Sequence, residues 1–191
     1  MLRLPLLSLL ALLFATPALA AHSEVVSPLK RVVGSVRYGR DQAALKYFDG
    51  EAQGKLLLGP SWDKATAAQR TEFVQLFETL FAKMAFPKVR ANFEHLESIL
   101  YDEPKVDGDK ATVDSTILIL HPLKKQELKV KYLLTHEKAG WKVVDVTVLG
   151  DSTLGGIRDE QVKPILQESG MDGLLKIMRA KAKELESVQL K

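Results

Sequence analysis

The 191-residue sequence is 46% hydrophobic and 27% charged, enough apolar matter for one sizeable core. It contains no cysteine, which excludes a disulfide framework, thiolate chemistry and a lipid-modified N-terminal cysteine. The net charge of +3, with lysine and glutamate well mixed and no long basic run interleaved with aromatics, argues against a nucleic-acid partner.

The chain opens with Arg3, an apolar run over 4–14 and the small-x-small triplet Ala18-Leu19-Ala20, the form of a cleavable export signal. The run is short for a membrane span and ends at the helix-breaking Thr16-Pro17. The expectation is a signal peptide over 1–20, cleaved near Ala20, and one exported domain over 21–191. Ser27-Pro28 opens the first expected element, with Leu29, Val32, Val33 and Val36 at helical spacing. Asp41 is a candidate N-cap for a short helix carrying Leu45 and Phe48; Asp49-Gly50 and Gly59-Pro60 are turn signals.

Thr66 and Gln69 have capping-box spacing and begin a strongly amphipathic helix. Its stripe of Phe73, Leu76, Phe77, Leu80, Phe81 and Met84 ends before Pro87. Such a stripe suits a closed core or one wall of an apolar cavity. From residue 89 the pattern turns to period two. It predicts a strand over 89–100, a hairpin turn over 106–110, and strands over 111–120, 127–135 and 140–149. Leu128, Val130, Tyr132 and Leu134 alternate with Glu127, Lys129 and Lys131, as in a sheet buried on one face.

Trp141, Val143, Val144, Val146 and Val148 make the last strand, with Asp145 among them. Gly150 and Gly155-Gly156 then punctuate a crossing to a helix starting at Arg158, and such seams often hold ligands. Pro164 kinks or restarts that helix, Ser169-Gly170 ends it, and Asp172 is a candidate cap for the last one. The expected fold is α+β, with helical parts over 27–86 and 158–191 and a sheet part over 89–149. The sheet is a curved antiparallel meander of about four strands packed with the N- and C-terminal helices.

Chemistry is sparse. His22, His95, His121 and His136 have no partners at metal-ligand spacing, and there is no nucleophile elbow or phosphate loop. Asp145 is a base buried in a sheet, or it faces solvent or pairs with a nearby Lys or Arg such as Arg158. Arg158 either ties the seam together or meets a phosphate head-group.

Leu58-Gly59, Trp62, Gln69-Arg70 and Phe73, followed by Tyr132, Trp141-Lys142-Val143, Asp145, Gly150, Ser152 and Arg158, form an ordered set over nearly the whole mature chain. This set resembles the signatures of the MlaC-type periplasmic phospholipid-binding family, also called toluene-tolerance auxiliary proteins. Asp151, Ile157 and Gln161 depart from the family pattern at the seam. The resemblance implies a soluble periplasmic carrier, without cofactor, metal or catalysis, holding phospholipid tails between a sheet and helices. It implies shuttling between an outer-membrane lipoprotein complex and an inner-membrane lipid transporter, and a hopanoid-associated branch keeps the cargo open. A monomer is expected. Periodicity then puts Phe73, Phe77, Phe81, Val130, Tyr132, Trp141 and Val143 on the cavity wall, with Arg158 at the head-group or seam. Two alternatives stand beside the carrier: an enzyme with a cone-shaped sheet using Asp145 as base, and a structural envelope protein packed shut.

Overall fold

The computed structural model describes residues 17–122 and 124–189; most of the expected export signal, residues 1–16, lies outside the described residues. Helix α1 (Pro17–Arg37) begins ten residues before the expected Ser27-Pro28 start and carries Pro28 in its interior. An interior proline costs about 3 kcal/mol. Val25 and Val26, on its N-terminal side, are buried and contribute about 1.5–3 kcal/mol each, so burial outweighs the missing hydrogen bond. Asp41 does not cap α2 (Asp41–Leu45) but occupies its first turn and pairs with Arg90. Phe48 lies beyond α2 and forms a parallel bridge with Val143.

Asp49 is not merely a turn residue: it caps α3 (Gly50–Leu58), accepting from the Ala52 N–H at 2.8 Å and from the Thr135 hydroxyl at 2.6 Å. Gly59, at φ 52°, ends α3, and the one-turn helix α4 (Ser61–Lys64) buries Trp62. Thr66 and Gln69 form the expected capping box on α5 (Ala67–Met84). The expected strand over 89–100 is half wrong, because α6 (Phe86–Phe93) takes up its first part. Pro87 sits in the first turn of α6, where its missing N–H costs nothing. Phe86 and Phe93 are seven residues apart on the buried side, a helical spacing that Val89, Ala91 and Phe93 disguise as alternation.

The sheet has six strands, β1 (Leu96–Tyr101), β2 (Lys105–Asp107), β3 (Lys110–His121), β4 (Lys124–Glu137), β5 (Gly140–Val148) and β6 (Asp151–Ser152). Their order is β1-β3-β4-β5-β6, all antiparallel, with β2 also on β3. The four longer strands are the expected meander and the two short ones extend it. Between β4 and β5 the register shifts: Leu133 faces Asp145 while Leu134 faces Val143, leaving Val144 as the extra residue of a bulge. The buried Gln53 amide donates to the Val144 carbonyl at 3.0 Å, so α3 satisfies the group that the bulge removes from the ladder.

Gly150, at φ 100°, turns the chain into β6, and α7 (Thr153–Ile157) starts five residues before the expected helix. A π-turn (Arg158–Val162) joins α7 to α8 (Lys163–Gln189). Pro164 cannot donate to the carbonyl four residues back and would press upon it; the wider turn makes room. Gly170, at φ 66°, interrupts α8 at the expected break. Asp172 accepts from the Gln69 side chain at 2.8 Å, and Glu72 receives Arg179 through two bonds of 2.5 and 2.9 Å, so polar groups tie α5 to α8. No described helix is long and apolar enough to cross a membrane.

Two apolar clusters result. One lies between the sheet and α1, α2 and α6, and the other among α3, α4, α5, α7 and α8; Phe81 packs against both.

Candidate binding cavity

Burial alternates along β3, where Ala111, Val113, Ser115, Ile117 and Ile119 all point inward. Their partners on β4 are Leu134, Tyr132, Val130, Leu128 and Gln126. On β5 the bulge switches the inward set from odd to even positions, so Val146 lies beside Tyr132 and Val148 beside Val130. Side chains of a sheet face keep the same side across a ladder, so this switch keeps the inner face apolar despite the extra residue.

The facing helices do not fill the space above these residues. A cavity of about 280 Å³ remains, walled on the sheet side by Ile117, Ile119, Leu128, Val130, Tyr132, Val144, Val146 and Val148. The helical wall includes Val32, Val33 and Val36 of α1, Phe81 of α5, and Phe86, Val89 and Phe93 of α6. Gln53, Asn92, Asp145 and Thr153 are the polar side chains in a lining otherwise almost wholly apolar. Val89 and Val148, each 37% exposed, mark where it opens to solvent together with the exposed Asn92. A second apolar cavity, about 440 Å³, runs between α5, α7 and α8 and includes Phe73, Phe77, Leu80 and Met178. Phe81, Ala85 and Thr153 belong to both walls, so the two spaces meet at the Phe81 ring.

Of the seven expected wall positions, Phe81, Val130 and Tyr132 line the first cavity, and Phe73 and Phe77 line the second. Val143 lines neither: it is buried beneath Phe48, its backbone bonded to Tyr47 and Asp49. Trp141 is half-buried away from both cavities, edge-on to His136 at 4.9 Å in a groove shared with α1. Strict alternation had carried the wall through Trp141 and Val143, whereas the bulge carries it through Val146 and Val148. The valines were visible in the sequence, but their parity was not. Leu128, Ile117 and Ile119 follow the alternation of their strands and were equally legible.

The polar residues in this region are structural. Burial pushes the phenols of Tyr132 and Tyr101 up, so both stay neutral, and the Ser115 hydroxyl lies 3.4 Å from the Tyr132 oxygen. Asp145 does not pair with Arg158. Its two carboxylate oxygens accept from the Ser152 hydroxyl at 2.5 Å and the Leu154 N–H at 3.0 Å, which holds α7 against β5. Arg158 instead donates twice to Asp159, both at 2.9 Å, on the exposed π-turn, and lines neither cavity. Among the described residues no cluster of His, Asp or Glu is placed to hold a metal ion.

The chain matches the model of a family described as MlaC protein over residues 35–180. It is similar in structure to a phospholipid-binding protein from Ralstonia solanacearum solved in complex with a phospholipid, at 16% identity and a TM-score of 0.69. That likeness covers 87% of this chain and 98% of the other. An NTF2-like protein with a cystatin-like fold from Novosphingobium aromaticivorans is more distant, at 16% identity and a TM-score of 0.38, over 68% of this chain and 81% of that one. No curated protein matches the sequence.

Proposed function

The chain belongs to the MlaC family, and on that premise we propose that it binds a phospholipid by its acyl chains and carries it through the periplasm. The observation that carries this reading is the apolar cavity left open between the inner sheet face and α1 and α6. Exposing a methylene to water costs about 0.8 kcal/mol, so an acyl chain leaves a membrane only into a sheath of this kind. A protein that merely stiffened the envelope would gain by closing such a space, since a void forfeits packing energy on all its walls. The second cavity, reached past Phe81, gives a further apolar path of the same character. In this reading the export signal of residues 1–20 is removed, the monomeric carrier performs no catalysis, and the lipid is exchanged with an outer-membrane lipoprotein complex and an inner-membrane transporter.

The test is lipid mass spectrometry on protein purified natively from the periplasm. About one phospholipid per chain is expected, and little or none in Leu128→Lys, which sets a charge at the half-buried end of the wall. A hopanoid in place of phospholipid would keep the carrier and change its cargo. Folded protein that is empty in both forms would overturn the proposal.

A further inference from the structure

The inner face of the sheet does not end where the cavity does. Ile117 and Ile119 continue in alternation to His121, and Leu128 and Gln126 continue to Lys124. His121 and Lys124 are register partners, so their side chains stand about 5 Å apart at Cβ on the same face. His121 lies two residues past Ile119, about 7 Å along the strand from the cavity lining. His95 joins them from beside β3, where its carbonyl accepts from the Leu120 N–H at 2.8 Å. It follows α6, three residues beyond Asn92 at the opening, and its ring lies against that of His121 with centroids 4.8 Å apart and the planes inclined at 59°.

Two imidazoles and an ammonium thus converge just outside the apolar mouth, all solvent-exposed. The Lys124 ammonium makes no hydrogen bond or ion pair with any described residue. The nearby carboxylates do not neutralise it. Glu127 is engaged by Lys125 at 3.9 Å on the outer face; Glu94, next to His95, and Glu97, two residues on, are exposed, and neither forms an ion pair with Lys124. Lysine is a donor-only point charge and an imidazole offers an N–H in either neutral tautomer, so the group they suit is a phosphate ester.

We propose that His95, His121 and Lys124 form a phosphate-binding rim that holds the phosphodiester of a lipid head-group while the tails occupy the cavity. This rests on the carrier reading and assigns the head-group to the turn end of the β3–β4 hairpin instead of to Arg158. The source of the phosphate is the bound lipid, since the rim adjoins the apolar mouth and is too open to enclose a free anion.

The experiment measures uptake from neutral phosphatidylcholine vesicles doped with phosphatidylglycerol or with diacylglycerol of the same acyl chains. The wild type should prefer the phospholipid. Lys124→Glu, and separately the double variant His95→Ala/His121→Ala, should reduce that preference about tenfold, the loss of one or two charge-assisted contacts, with diacylglycerol uptake unchanged. Lys125→Glu, the same charge change on the outer face, should leave the preference within twofold of wild type. An unchanged preference in the inner-face variants, or an equal fall in Lys125→Glu, would overturn the rim. Wild type taking both lipids equally would overturn the rim alone, and wild type taking neither of them, and no phosphatidylcholine, would overturn the carrier reading with it. A titration of lipid-free protein with inorganic phosphate separates the sources: saturating shifts of the His95 and His121 ring resonances without lipid preference would replace the lipid with a free anion.

Discussion

Asp145 shows how a residue can be legible in importance and illegible in role. A carboxylate among valines stands out in any reading of the sequence, and a base, a solvated acid and an ion-pair partner are all reasonable roles for an acid in a strand. The structure gives it two donors from its own chain, seven and nine residues on, because the Gly150 turn folds Ser152 and Leu154 back beside it. No sequence spacing announces such a hairpin-to-helix clasp; only the glycine hints at it. Asp145→Ala leaves the buried Leu154 N–H without a partner, which should cost about 1–3 kcal/mol. The expected fall in midpoint by thermal denaturation is about 3–10 °C for a chain of this size. An unchanged midpoint would mean that water replaces the carboxylate and that the clasp is incidental. The motif Trp62, Arg70 and Phe73 has a similar history. Arg70 lies 5.7 Å over the Trp62 ring and donates to the Ala65 carbonyl, so these two close the helical cluster, and of the three only Phe73 reaches either apolar cavity, the second one.

Among the elements, α5 was read most completely. Its cap, its length and its stripe all follow from local rules, because Thr66 and Gln69 act on backbone groups within one turn. The partner of the stripe was not legible. Phe73 and Phe77 stack at 6.3 Å, Phe81 follows at 5.5 Å, and only this last ring reaches the sheet-side cavity while also bordering the helical one. Phe81→Ala removes the partition. The lipid-free variant should lose about 3 kcal/mol, near the low end for deleting a phenylalanine side chain. A bound lipid with longer tails should restore part of that loss by occupying the joined space. Calorimetry of delipidated and reloaded protein checks this; equal destabilisation in both states would show that Phe81 is core and not partition. The misread element, α6, failed for the opposite reason. Apolar residues at i, i+2 and i+4 fit the strand period, while i and i+4 also fit the helical one, and Pro87, taken as the end of one helix, is the opening of the next.

For the molecule as a whole, the α+β class and the antiparallel meander were open to inspection, since turn signals and alternation are local properties of β3, β4 and β5. What was hidden was the division of the interior into two clusters, a matter of which distant surfaces meet. The helical cluster draws its members from residues 57–81 and then from 154–178, with the entire sheet inserted between them. Closing so long a loop is slow compared with pairing neighbouring strands. Pulse-labelled hydrogen exchange during refolding should therefore protect amides of β3, β4 and β5 before those of α5 and α8. The reverse order would show that the helical cluster nucleates the fold.

That insertion has a consequence for a polypeptide delivered from its N-terminus. Until α8 emerges, the fully buried Phe73 and its neighbour Phe77 have no lid, and an unfinished chain presents them to whatever it meets. The emergence of α8 is thus what makes the nascent protein safe from aggregation, and its arrival times the closing of the helical cluster.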